Sequence, residues 1–457
     1  MSPLTALLAR GPGAPPLWRP APRPGEASWL TDRRREATRW AEGHGFPTTK
    51  HEDWRYTRLD DLLEIPFEPA GPASSAAEVA DEVAAEVAAG LGPHAGGPRL
   101  VFVNGHLVAE RPEAAGPAPG AQVGSLARAL EQTAWSERLQ SLWAPARAGY
   151  DHAFRALNDA LAADGAFIVV PAGCAVERPI ELVFVSASGG PPVLASPRSV
   201  VLAGPESQVR VVEVYAGAGE GPVLTNAFTQ VVVGPGASVS HYKVQAEGTS
   251  SFHLSSLEVR PAEASRFSSW LVALGGRVAR HEVGVRLGAP GAAVSLDGLF
   301  LPAGSQHHDN PVRVDHMAAN CTSHQLYKGI MADQASGVFN GHVVVHEGSL
   351  GTDAHQVNKN LLLSEHAQAY TRPRLEIFAD DVACTHGAAV GHLDDDALFY
   401  LRSRGIPEAR ARALLVGGFA EEVLARLPAG PLEAYARALV RARLGAEEGS
   451  GRPSEAP

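Results

Sequence analysis

The pattern of hydrophobic and polar positions changes twice along the chain. Residues 28–165 hold stretches with helical spacing and one hairpin signal, in which two apolar arms flank Asn104 and Gly105. Residues 166–395 consist of short, partly alternating runs rich in Val, Leu and Phe, bounded by small-residue turns. Residues 396–446 return to helical spacing. The pattern therefore predicts a β-rich middle between two helical regions.

Turn sequences recur within the β-rich middle, and no helical stretch separates the strands, which argues against a doubly wound α/β sheet. The turns begin at Gly204, Gly234, Pro261, Gly288 and Met331. The spacing is nearly constant except for the last interval. A recurring turn followed by short strands is typical of a solenoid of stacked parallel coils. A large β-sandwich or jelly roll remains an equal alternative on this pattern alone.

Both chain ends are predicted to lack regular structure. Residues 1–27 are rich in Pro and Gly, which predicts a flexible segment, and residues 447–457 are polar, which predicts a disordered tail. Nothing near the first residue has the pattern of a signal peptide, and no window is apolar enough to span a membrane.

Composition narrows the class of protein. The 47 Gly and 35 Pro residues suit a turn-rich fold, and the net charge of −11 argues against a nucleic-acid-binding face. The three cysteines are Cys174, Cys321 and Cys384. They are too few for a disulfide framework, and their odd number favours a reducing compartment. We therefore expect a cytoplasmic protein with no nucleic-acid partner and no membrane association.

Common catalytic and cofactor motifs are missing from the sequence. It contains no G-x-x-x-x-G-K-[ST] phosphate loop, no G-x-S-x-G elbow, no H-E-x-x-H zinc helix and no C-x-x-C pair. Any ATP hydrolysis must therefore come from a partner, and no single local motif encodes a four-cysteine cluster site.

Histidines are concentrated in one part of the chain. Ten of the 18 are His307, His308, His316, His324, His342, His346, His355, His366, His386 and His392. Cys384 and His386 are separated by two positions, which in a strand places both side chains on one face, about 7 Å apart. A thiolate and an imidazole form part of a metal site, but two ligands do not complete one. The alternative is a buried cysteine beside a structural histidine.

Three long segments are distinctive: EDWRYTRLDDL near the N-terminus, the stretch from HHDNPVRVDHMAANC to ACTHGAAVG, and DDALFYLRSRGIPEARARALLVGGFAEEV. Together they resemble the SufB/SufD family of iron–sulfur cluster assembly scaffolds. Gly387 and Ala388 follow His386 where SufB-like chains tend to have Glu and Ala, and the chain has few cysteines. It therefore resembles the SufD branch of the family most closely.

The resemblance implies a fold and a set of partners. The family fold is a right-handed parallel β-helix core, here residues 166–395, flanked by N-terminal and C-terminal α-helical regions. It implies a non-catalytic scaffold subunit that pairs with SufB through the β-helices. Its C-terminal helical region, around residues 406–427, is expected to dock the ATPase SufC. A homodimer is the expected alternative for the isolated chain.

The resemblance also implies a site. A transient iron–sulfur cluster shared with SufB would form at the SufB–SufD interface, with His386 as a metal ligand and Cys384 as the second candidate. Participation of a flavin in the complex is left open.

Two other functions are consistent with parts of the sequence. A β-helix polysaccharide-active enzyme could use Asp380, Asp381 and residues 394–396. A self-contained metal-binding protein could use the histidine-rich region.

Overall fold

The computed structural model describes residues 26–71, 77–91, 97–111, 118–143, 150–428 and 430–450. It is mainly β, with 42% strand against 26% helix. The first 25 residues of the predicted flexible segment and residues 451–457 of the predicted tail lie outside the described residues. Residues 447–450 of that tail belong to the last helix. No helix in the described ranges is long and apolar enough to cross a membrane.

The helices are α1 Ser28–His44, α2 Asp60–Glu64, α3 Ala77–Leu91, α4 Leu126–Glu131, α5 Thr133–Trp143, α6 Ala153–Leu161, α7 Asp395–Ser403, α8 Glu408–Leu424 and α9 Pro431–Ser450, with a 3₁₀ turn at Glu52–Trp54. The strands before the first complete coils are β1 Glu68–Pro69, β2 Arg99–Val103, β3 His106–Arg111, β4 Gln122–Ser125, β5 Ala166–Val170, β6 Ile180–Ala187, β7 Val193–Ala195 and β8 Arg198–Ala203. The remaining strands are β9 Gln208–Ala218, β10 Val223–Val233, β11 Ser238–Ala246, β12 Phe252–Pro261, β13 Arg266–Ala273, β14 Val278–Leu287, β15 Ala293–Phe300, β16 His307–His316, β17 Thr322–Met331, β18 Ser336–Val345, β19 Asp353–Leu362, β20 Gln368–Ile377 and β21 Ala383–Gly391.

The strands form a parallel β-solenoid of about eight turns. Successive even-numbered strands from β8 to β20 pair in an 11-stranded sheet, and successive odd-numbered strands from β9 to β21 pair in a 10-stranded sheet. Each coil therefore contributes one strand to each sheet, and every strand pair among these is parallel. The solenoid expectation is confirmed, and the sandwich alternative is wrong.

The structure explains why the interval between the turns that begin at Gly288 and Met331 is longer than the others. Turns at the first edge of the coils each contain a residue with positive φ: Glu206, Gly236, Ala264, Gly291 and Asn320, at 54°, 65°, 53°, 70° and 58°. The turn beginning at Met331 instead joins β17 to β18, at the other edge of the coil. Residues 317–321 continue the first series between β16 and β17, so the period is maintained.

Alternating side chains fill the lumen between the two sheets. Val211, Val231, Val259, Val285 and Val314 are typical of this core, which extends along the solenoid. Helices cover the outer faces of the sheets. Helix α6 packs on the 11-stranded sheet, and α3, α8 and α9 pack on the 10-stranded sheet. Because both faces of most strands are covered, the strands are almost continuously apolar or buried.

The EDW motif fastens the N-terminal region to the later coils. Trp54 is buried beneath the Arg280 guanidinium, which lies 3.8 Å from the ring centroid. Asn340 Nδ2 donates to Asp53 Oδ1 at 3.2 Å, and Arg372 donates to Glu52 Oε1 at 2.8 Å. These contacts span β14 to β20, so the segment holds the last coils against one another.

The two ends of the solenoid differ. At its beginning, β3 pairs antiparallel with β2, and β4 pairs antiparallel with β5, which closes the first coil with chain from the N-terminal region. At its end, β20 and β21 are the terminal strands of their sheets. In the described part of the chain, β21 is followed by helix α7 and not by a further coil.

Candidate functional site

Cys384 and His386 lie on the terminal strand β21 and face the same side. The register pairs Cys384 with Ala354 and His386 with Gln356, both of which are buried lumen residues of β19. Both side chains therefore continue inward-facing rows of the solenoid beyond its last closed coil. Because β21 is the terminal strand of its sheet among the described residues, His386 is exposed and Cys384 is only partly buried.

The electrostatic surroundings of the two side chains differ. Burial raises the pKa of the Cys384 thiol, and the nearby Asp353 carboxylate adds to the rise. The thiol is therefore protonated at neutral pH, and binding a metal would have to displace that proton. His386 has no hydrogen-bond partner within the described ranges, so its ring nitrogens are available to a ligand or to another chain.

We call the end of the solenoid formed by the terminal strands β20 and β21 the open end. Its β20 side, which faces β21 across the lumen, is apolar. Leu375 on β20 continues the lumen row of Val314 and Val343 and packs against the core. Ile377 at the end of β20 is 43% exposed, and Val390 near the end of β21 is 46% exposed. An uncovered end with two terminal strands and apolar side chains is typical of an interface.

The ligand set within this chain is small. Among the described residues, no group of three or more His, Cys, Asp or Glu side chains is placed to hold a metal ion. Cys384 and His386 offer two donors of the types that suit iron or an iron–sulfur species. The remaining ligands of a metal held here would have to come from the bound species or a second chain.

Most histidines of the rich region have other partners. His307 bonds Ser336 at 2.7 Å, His308 bonds the Gly275 carbonyl at 3.0 Å, and His316 bonds Ser323 at 2.8 Å. His342 pairs with Glu376 at 2.9 Å, and His346 pairs with Asp315 at 3.1 Å. These five histidines lie on β16 and β18 or directly after β18, and each already contacts another residue of the chain, which argues against a self-contained metal store.

The acidic residues of the enzyme alternative have structural roles. Asp394 caps helix α7, where its carboxylate accepts hydrogen bonds from the backbone N–H groups of Asp396 and Ala397. Asp381 lies in the turn between β20 and β21 with φ of 53°. The cap accounts for Asp394 and the tight turn accounts for Asp381, so these two positions are explained by local structure without glycoside chemistry.

The other two cysteines are held by the fold. Cys321 is buried at a coil turn, and its thiol donates to the Ala289 carbonyl at 3.2 Å. Burial raises the pKa of the Cys321 thiol. Cys174 lies near the Pro119 carbonyl, with 3.9 Å between the sulfur and the oxygen.

A charged network inside the lumen was missed by the sequence reasoning. Lys243 is buried and donates to Ser255 at 2.7 Å, while its Nζ lies 2.9 Å from His253 Nε2. His253 contacts Glu247 at 2.7 Å, and Glu247 also accepts from Thr225 at 2.6 Å. The signal was present, because Lys243 and His253 lie in strands at alternate positions among apolar residues, but alternation does not reveal which face is the lumen.

Burial and ion pairing shift the pKa values of the side chains in this network in opposite directions. Burial, opposed by Glu213 and Glu247, lowers the pKa of Lys243 to about 8. Burial alone would raise the pKa of Glu247, but His253, Thr225 and Ser186 together lower it to about 2. The network therefore carries buried charges at neutral pH, and removing one partner would leave another charge unpaired.

Two family models cover nearly all of the chain. The model described as "SUF system FeS cluster assembly, SufBD core domain" matches residues 184–419, which run from the middle of β6 through β21 and helix α7. The chain belongs to the SufBD family. A second model, the "SufBD protein N-terminal region", matches residues 23–182.

Individual relatives agree with the family. The iron–sulfur cluster assembly SufBD family protein slr0076 of Synechocystis is 29% identical over 433 residues, 92% of each chain. The iron–sulfur cluster assembly protein SufD of Escherichia coli is 30% identical over 386 residues, 83% of this chain and 85% of that protein. SufD of Bacillus subtilis is 30% identical over 284 residues, 61% of this chain and 64% of that protein. The SufBD family assignment and the SufD-like character expected from the sequence are confirmed.

Proposed function

We propose that this chain is the SufD-type subunit of a cytoplasmic iron–sulfur cluster scaffold, and that it pairs with a SufB-type chain at the open end of the solenoid. One observation carries the proposal: the terminal coil exposes two sheet edges and an apolar lumen, with Cys384 and His386 on the same inward face. A second β-helix can extend both sheets and cover that end. A nascent cluster is then held between the chains, with His386 as its ligand and Cys384 as the second candidate.

The exposed sheet edges favour a second β-solenoid as the partner. Strands β20 and β21 each have one side without a neighbouring strand, so their outer backbone groups face away from the solenoid. A solenoid with matching terminal strands satisfies these groups and buries Ile377 and Val390 together. A second copy of this chain could occupy the same surface in isolation, which is the homodimer expected from the resemblance.

The C-terminal helices provide a separate docking surface. Phe399, Tyr400 and Leu414 are 72%, 57% and 51% exposed on α7 and α8. The opposite side of α8 is fixed to the 10-stranded sheet, where Trp270 Nε1 donates to the Val423 carbonyl at 3.1 Å and Lys328 donates to the Phe419 carbonyl at 2.8 Å. We propose that a SufC-type ATPase binds the exposed side and supplies the ATP hydrolysis.

Substitution of Leu414 tests the dock without removing the helices. Deleting α8 and α9 would uncover Trp270 and the apolar face around it, so a deletion confounds binding with folding. We expect Leu414→Asp to weaken binding of the ATPase at least tenfold, because a carboxylate cannot be buried unpaired in an apolar contact. Val108→Asp is the matched control, since Val108 is 47% exposed at the closed end of the solenoid. Isothermal titration with the ATPase measures both, and equal affinities would place the dock elsewhere.

Substitution of His386 tests the cluster site. We expect His386→Ala to leave the complex with SufB-type and SufC-type partners intact and to abolish cluster formation. The variant removes a metal donor from an exposed position and breaks no hydrogen bond among the described residues. His392→Ala is the control, since His392 is exposed just beyond β21. Iron and sulfide content of the co-purified complex measures the effect. Full cluster yield with His386→Ala removes this residue from the site, and a chain that purifies alone at physiological salt contradicts the scaffold proposal.

A further inference from the structure

A row of buried amides leads to His386 from inside the lumen. Gln325, Gln356 and His386 occupy matching positions on β17, β19 and β21. Both glutamines are buried, and Gln356 Nε2 donates to Gln325 Oε1 at 3.0 Å. This bond uses the donor group of Gln356 and leaves its Oε1 without a hydrogen-bond partner and without access to solvent.

A glycine on the facing sheet leaves space for the Gln356 side chain. Gly341 on β18 faces the Gln356 side chain across the lumen, and a Cβ added to Gly341 would collide with the carboxamide. A buried carbonyl oxygen without a hydrogen-bond partner destabilises a fold, because it has lost its contacts with water. The chain therefore retains an unsatisfied acceptor on the residue that is paired with His386, in a space that a larger residue at position 341 would fill.

We infer that Gln356 is the positioning residue of His386. When the partner covers the open end, Gln356 Oε1 accepts a hydrogen bond from the His386 ring nitrogen that faces the lumen, and the other ring nitrogen presents its lone pair to the cluster iron. Neighbouring strands lie about 4.8 Å apart, which is within reach of two stacked side chains. Histidine ligands of metals almost always donate their second ring N–H to such an acceptor. The inference rests on the proposed function of His386.

Three variants of the partner-bound complex test this role. Gln356→Leu removes the acceptor, Gln356→Glu replaces it with a stronger one, and Asn358→Leu removes a buried amide from the same strand at the position paired with Ala388. We expect Gln356→Leu to weaken cluster retention about 10–100-fold. It should also raise the reduction potential of the bound cluster, because a histidine without an acceptor is a weaker donor. Gln356→Glu should retain the cluster and lower the potential, and Asn358→Leu should match the wild type.

Iron content and redox titration of the complex measure both quantities, and a melting curve of each variant reports its fold. Opposite shifts of the potential in the Leu and Glu variants cannot arise from loosened packing alone. Wild-type retention and potential in Gln356→Leu would overturn the inference, even if His386→Ala loses the cluster. If Gln356→Leu does not fold, an unchanged potential in Gln356→Glu overturns it. A cluster retained by His386→Ala contradicts the proposed function instead.

Discussion

Arginine at both Ile377 and Val390 is expected to abolish pairing with the SufB-type partner while leaving the isolated chain folded. The two side chains lie on β20 and β21, on either wall of the open end, and are 43% and 46% exposed before the partner binds. In the free chain an arginine at either position can extend into water. In the paired state both guanidinium groups would be moved from water into an apolar contact, and a buried charge without a partner costs several kcal/mol. We expect at least a hundredfold loss of affinity, which corresponds to about 3 kcal/mol.

Size-exclusion chromatography and titration of the purified chains measure this loss. Val108→Arg is the matched control, because Val108 has similar exposure at the closed end, where β3 pairs with β2. The ATPase should still bind the double variant, since α7 and α8 are unchanged. Wild-type affinity for the SufB-type partner would show that the chains pair through another surface.

The second large effect is a loss of stability between pH 6.5 and pH 5. Burial lowers the pKa of His308 to about 3 and that of His316 to about 4, from an ordinary value of 6.5. Well above pH 6.5 both residues are neutral in the folded and in the unfolded chain. Below it the unfolded chain takes up protons that the folded chain cannot, so the free energy of unfolding falls with pH. At pH 5 each histidine accounts for a loss of about 2 kcal/mol.

Buried His253 and His281 act in the same direction, because burial lowers the pKa of both. Urea unfolding at constant ionic strength, followed from pH 7 to pH 5, measures the combined loss. His308→Gln keeps a polar side chain but does not titrate, so it should reduce the pH dependence. A free energy of unfolding that is constant over this range would show that these histidines are protonated in the folded chain.

Local pattern could predict strands and turns but not which strands are neighbours. Alternation of apolar and polar residues with a period of two is common to the strands of a solenoid and of a sandwich. The alternation in residues 166–395 is therefore consistent with both folds. Only the family resemblance separated them. The turn at Met331 was assigned to the wrong series, because small residues occur at both edges of a coil. Register between strands is a long-range property that the sequence of one strand does not contain.

The site was predictable to the same extent. The spacing of Cys384 and His386 predicted a shared face, and the register of β21 confirms it. Their position on the last coil depends on where the solenoid ends, which is decided by the onset of helix α7. The buried Lys243 network and the open acceptor on Gln356 depend on contacts across the lumen. No spacing rule along one strand reports such contacts.

The packing of α8 has a mechanical consequence. The helix is attached to β15 and β17, which belong to the same sheet as β21, whereas β20 belongs to the other sheet. Two strand spacings, about 10 Å, separate β17 from β21. A force applied to α8 by a moving ATPase would therefore act on the 10-stranded sheet and not directly on the 11-stranded sheet. The distance over which it is transmitted is short. The expected response is a shear between the two walls of the open end, which changes the gap between His386 and β20.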